Sequence, residues 1–120
     1  MSNDLPVLDA AVLDELRASV GGDEEFVRDL VETYLAEGPE HIEQIVAAAG
    51  RADAAAIVRP AHTLKSSSAA LGATRLSAIS RQIEFSGREG RTADLAALAQ
   101  QARTAWAATV AALQAAELAP

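Results

Sequence analysis

Cysteine is absent from the 120-residue chain, which excludes a disulfide framework and any thiolate metal site. Aromatic residues make up only 3% although hydrophobic residues reach 50%. Much of that fraction is alanine, the strongest helix former, so closely packed helices are expected rather than a sheet. No apolar run reaches the roughly 18 residues a membrane span needs, and no charged start leads into an apolar segment. A cytoplasmic protein that crosses no membrane is therefore expected. Basic residues are scarce as well, 10 Lys and Arg against 17 Asp and Glu for a net charge of −7. That balance argues against nucleic-acid binding, which depends on neutralising phosphates. The length suits one domain with a modest core.

The charge is unevenly distributed. Residues 1–50 hold 2 Arg against 12 Asp and Glu, whereas residues 51–103 hold 8 Lys and Arg against 4 acids. The second segment is thus suited to a phosphoryl group or an acidic partner, through Arg59, Lys65, Arg75, Arg81 and Arg88.

Helix signals recur along the chain. After an arm at residues 1–8, Asp9 is placed to cap a first helix to Val20, whose apolar side is Val12, Leu13, Leu16 and Val20. Asp23 caps the next helix, with Phe26, Leu30 and Tyr34 marking one face, and Gly38-Pro39 is expected to end or kink it. Glu40 to Ala49 resumes the pattern, and Gly50 stands where a C-terminal glycine cap is expected. Asp53 begins a helix that Pro60 should bend or restart. Gly72 and Thr74 mark the change to a helix through about Phe85, with Leu76, Ile79 and Ile83 inward. A loop is expected at Gly87 to Gly90, and Thr92 is expected to cap the last helix. Short connections between long helices imply an all-α, antiparallel up-and-down four-helix bundle with an accessory N-terminal helix, spanning residues 9–118.

On a wheel advancing about 100° per residue from Ile57, the residues Ala61, Leu64, Ser68 and Leu71 fall within roughly 40° of it and form the core stripe. His62 lies about 140° away, Lys65 about 80°, Ala69 about 120°, Ala73 about 160° and Ser66 about 180°. The imidazole therefore points outward among small side chains, and Lys65 can reach the same spot. Small neighbours leave a flat patch open to a second protein, for which Arg59, Ser66, Ala69, Gly72 and Ala73 are the docking candidates. A neutral imidazole is a nucleophile towards phosphorus at neutral pH, and Lys65 is the candidate to stabilise charge on the phosphoryl oxygens. His41 serves as a control: Gln44 stands three residues after it, no small-residue run follows, and no function is expected there.

The run His62-x-Leu64-Lys65-Ser66, followed by Leu71-Gly72, resembles the signature of histidine-containing phosphotransfer domains of two-component phosphorelays. Ser66 replaces the glycine usual after the lysine. The likeness extends through Leu76, Ile79, Ile83, Glu84 and Gly87-Arg88. It implies that Nε2 of His62 takes a phosphoryl group from one receiver-domain aspartate and passes it to another. It also implies that the receiver supplies Mg²⁺ and that this chain binds no metal or cofactor. The implied partners are receiver domains of response regulators and of a hybrid histidine kinase, met by a monomer. The family often has Gln or Glu near the histidine, a position that falls on Glu84, with Gln82 as the alternative for orienting the imidazole. Arg88, one turn beyond Glu84, is a candidate phosphate contact.

Other chemistries lack parts. A di-iron bundle needs Glu three residues before each histidine, where this chain has Gly38 and Arg59. There is no phosphate-cradling glycine loop with a lysine, so ATP-dependent kinase activity is not expected. Ser66, Ser67 and Ser68 share a helix with His62 and no acid completes a hydrolytic triad. The rival to a phosphoryl carrier is an adapter that binds a receiver or kinase through the same face without being phosphorylated.

Overall fold

The structure, a computed structural model, describes residues 4–119. Its helices are α1 (Ala10–Ser19), α2 (Glu24–Gly50), α3 (Ala54–Ala70), α4 (Thr74–Arg88) and α5 (Leu95–Ala115), and no strand occurs among the described residues. Helices α2, α3, α4 and α5 form a closed ring, each packing on the next and α5 returning to α2, while α1 leans on α2. Short turns make sequential neighbours antiparallel. Of the arm expected at residues 1–8, residues 1–3 lie outside the described residues. The remainder is tied down, since Arg75 donates from Nε to the Leu5 carbonyl at 2.9 Å and from its backbone to Pro6 at 3.1 Å. No described helix is long and apolar enough to cross a membrane.

The aspartate caps are where the sequence puts them. Asp9, Asp23 and Asp53 accept from the amides of Ala11, Phe26 and Ala56 at 3.0–3.1 Å, satisfying donors that a helix start leaves orphaned. At α5 the expectation fails: Asp94, not Thr92, takes the N-cap position, and Leu95 donates to the Thr92 carbonyl within a preceding turn.

Helix α2 corrects several sequence expectations. It runs through Gly38-Pro39 without ending. Its 27 residues make a rod of about 40 Å, close to the longest molecular dimension of 43 Å. Packing along that length outweighs the one backbone bond proline removes. Gly38 is needed for another reason: the Trp106 ring occupies the space a Cβ would take. Trp106 in turn packs on Tyr34, ring centroids 5.1 Å apart and planes tilted 56°. Phe26 and Leu30 do not share the buried face of Tyr34 but are 46% and 37% exposed. Steps of four residues drift by about 40° each, so the stripe that stays on the core is Val27, Val31, Tyr34, Gly38, Ile42 and Ile45. Gly50 is the last helical residue rather than the left-handed cap, a role taken by Ala52 at φ 52°.

Helix α3 continues through Pro60, which is buried, instead of restarting there. Helix α4 extends beyond Phe85 to Arg88, so Gly87 lies in a helix and not in the expected loop. A Cβ on Gly87 would stand 2.8 Å from Cγ2 of Ile57 and of Val58 and 2.9 Å from the Ala54 carbonyl oxygen. The missing side chain lets the end of α4 lie directly against the start of α3. Between the helices, Ile45, Ile57, Leu64, Leu76, Ile79, Ile83, Leu95 and Leu113 are fully buried. Ser68, placed in the core stripe by the wheel, is fully buried and shares a 2.7 Å hydrogen bond with the Tyr34 hydroxyl. Burial pushes that phenol up to about 12, the Ser68 bond partly offsetting it.

Candidate functional site

The site lies across the seam between α3 and α4. His62 and Lys65 rise from α3, and Glu84 and Arg88 from α4. Packing of Gly87 against Ile57 and Val58 brings the two backbones close, and Ser77 Oγ donates to the Lys65 carbonyl at 2.9 Å. These contacts fix the helices in register.

The carboxylate of Glu84 is the hub. Its side chain is 7% exposed, and it receives three cationic or potentially cationic donors. Lys65 Nζ donates to Oε1 at 2.6 Å, and Arg88 donates to Oε2 from Nη2 at 2.8 Å and from Nε at 3.2 Å. His62 Nδ1 lies 2.7 Å from Oε2. The Lys65 bond, aided by Arg88 and His62 and opposed by burial, lowers the Glu84 carboxyl to about 2. The group is thus ionised at neutral pH and can only accept. It follows that Nδ1 carries the proton and donates it, which leaves the lone pair on Nε2. The His62 side chain is 54% exposed, so an approaching group can reach that nitrogen.

Glu84, and not Gln82, is therefore the partner of the imidazole, while Gln82 is an exposed residue of α4. Lys65 and Arg88 both rest on Glu84, and their side chains are 31% and 61% exposed. Of the docking candidates, Arg59, Ser66 and Ala69 are exposed. Gly72 and Ala73 are corrections: both are buried. The wheel carried α3 past its end at Ala70; the chain then turns at Gly72, φ 78°, under the Asp9–Val12 segment. Asp9 donates its amide to the Gly72 carbonyl at 2.8 Å, so this part of the surface is covered from within. His41 lies on α2, and its Nδ1 is buried with no hydrogen-bond partner among the described residues.

Sequence reasoning missed the exposed Phe85, 56% exposed beside Glu84 on α4, whose ring carries the Arg91 guanidinium 5.2 Å from its centroid. The signal was present, since Phe85 falls off the Leu76, Ile79, Ile83 stripe. It was passed over because the helix was expected to stop there.

A family model, the Hpt domain, matches residues 29–116. The chain belongs to the Hpt-domain family. The match takes in α3, α4 and α5 and most of α2, leaving α1 outside as the accessory helix. This Hpt domain is similar to the crystal structure of histidine-containing phosphotransfer protein B (HptB) from Pseudomonas aeruginosa PAO1. The two share 29% identity and a TM-score of 0.78, over 87% of this chain and 88% of that one. A search of curated proteins found no match.

Proposed function

We propose that this Hpt domain is a phosphorelay carrier in which His62 accepts a phosphoryl group from a receiver aspartate and passes it to another. The observation that supports the reading is the 2.7 Å bond from His62 Nδ1 to a buried, ionised carboxylate. That bond fixes the tautomer and aims Nε2 outward. In the transfer, the Nε2 lone pair forms the P–N bond as the P–O bond to the aspartate breaks, and that electron pair returns to the aspartate carboxylate. The ring keeps its Nδ1 proton. The transition state is loose and in line, so positioning and charge stabilisation are the main tasks. Lys65 and Arg88 are the groups that stabilise the equatorial oxygens, and Mg²⁺ is expected to come with the receiver. Arg59, Ser66 and Ala69 belong to the docking face. No ATP site is needed, because the donor is already a phosphorylated protein.

The test is transfer from a panel of phosphorylated receiver domains, with acid-labile label mapped on wild type and on His62→Gln. Label confined to His62 and lost in the variant is the expected result. Lys65→Ala should slow transfer about tenfold, the effect of losing about 1.4 kcal/mol of transition-state stabilisation. Receiver binding that survives His62→Gln with no phosphohistidine in wild type would replace the carrier with the adapter.

A further inference from the structure

Resting on the carrier reading, we propose that Glu84 is a positioning residue that keeps Nδ1 of His62 protonated after Nε2 is phosphorylated. The domain then holds its phosphoryl group in the form ready to leave.

The argument is one of leaving groups. When the P–N bond breaks, its electron pair stays on Nε2. If Nδ1 carries a proton, the departing ring is a neutral imidazole; if it does not, the ring must depart as an imidazolide anion, a far poorer leaving group. A loose transition state places nearly all of that burden on the leaving nitrogen. The proton on Nδ1 therefore decides whether the phosphohistidine discharges or persists, to water as to a receiver aspartate.

The geometry holds that proton. Glu84 Oε2 accepts from Nδ1 at 2.7 Å, and the carboxylate is only 7% exposed, which limits competition from bulk water. The formal charges agree. Before phosphorylation, Lys65 and Arg88 outweigh Glu84 by one positive charge beside a neutral ring, which favours the incoming anion. With a dianionic phosphoryl group and a protonated ring, the cluster sums to zero. Replacing Glu84 by an amide leaves the ring proton facing Lys65 and Arg88 with no anion at Nδ1. The other titratable groups on the adjoining elements make no bond to His62: Arg59 on α3 and Arg81 on α4 are exposed, as are Glu37, Glu40 and Glu43 on α2, where His41 is half-buried. None replaces Glu84.

The experiment loads wild type and Glu84→Gln with phosphoramidate, a small donor that needs no receiver, and follows phosphohistidine decay by phosphorus NMR. Glutamine keeps an oxygen for Nδ1–H and removes only the charge. With the anion that holds the ring proton removed, the Gln variant should decay at least about tenfold more slowly near pH 8 and converge on wild type at lower pH. The wild-type rate should be nearly flat across the neutral range. Equal lifetimes and pH profiles would overturn the inference. A readout free of the variant's folding is nitrogen NMR of phosphorylated wild type: a bare Nδ1 near pH 8 would also overturn it, and a protonated one is expected. Should receivers never label His62, the relay reading fails, whereas decay of the phosphoramidate-loaded ring still reports on Glu84.

Discussion

Gly87→Ala tests whether the close approach of α3 and α4 sets the site. The added Cβ would meet Ile57 and Val58 Cγ2 at 2.8 Å and the Ala54 carbonyl at 2.9 Å, where ordinary contact begins at 3.4 Å. The helices must therefore part by about half an ångström, because a backbone oxygen and two β-branched side chains give little. The same movement acts on bonds that cross the seam, His62 to Glu84 at 2.7 Å and Lys65 to Glu84 at 2.6 Å, stretching and weakening them towards about 3.2 Å, the long end of the hydrogen-bond range. Overpacking of this kind costs about 2 kcal/mol, which at this chain length lowers the melting temperature by about 8 °C. Transfer from a phosphorylated receiver should slow in parallel, since misplacement of the ring degrades in-line attack. Circular dichroism melts and transfer kinetics read the two effects. Gly50→Ala is the control, a helical glycine with nothing within 4 Å of its Cβ position, and should stabilise by about 0.5–1 kcal/mol. If Gly87→Ala melts with wild type and transfers at the wild-type rate, the seam is not what positions His62.

Two further outcomes are expected. The Glu84 carboxyl is lowered from 4.5 to about 2 in the folded state, so its contribution to stability is fully present above about 4.5 and is lost as pH falls towards 2. Urea midpoints of wild type should drop across that window, and those of Glu84→Gln should drop less; parallel pH dependences would refute the hub. Ala52→Gly relieves a left-handed alanine at φ 52° and should stabilise by about 1 kcal/mol, read as a raised melting temperature, with no change meaning that the turn holds no strain.

The sequence made His62 and Lys65 legible because both signals are local: an exposed histidine among small residues, and a lysine three positions on. Glu84 was reached only through the family likeness, since nothing in a one-dimensional pattern shows that a glutamate on the next helix lies 2.7 Å from the ring. The misjudged elements share a cause. Pro39, Pro60 and Gly87 read as breaks by local propensity, yet each lies within a continuous helix, where tertiary contacts prevail over propensity. Gly87 gave the opposite of its apparent meaning, marking a contact and not a loop. Gly72 and Ala73 were misassigned because a wheel has no knowledge of where a helix stops, nor that the N-terminal segment returns to cover the turn.

The site is also short-range in sequence. His62 and Glu84 are 22 residues apart, Lys65 and Glu84 are 19, and Arg88 and Glu84 only 4. All of them sit on one helical hairpin closed by the turn at Leu71–Ala73. Loops of that length close at small entropic cost, and local contacts favour rapid formation. The hairpin at residues 54–88 is thus the part of the chain in which the phosphoryl-accepting arrangement can organise early, before α1 and α5 dock around it.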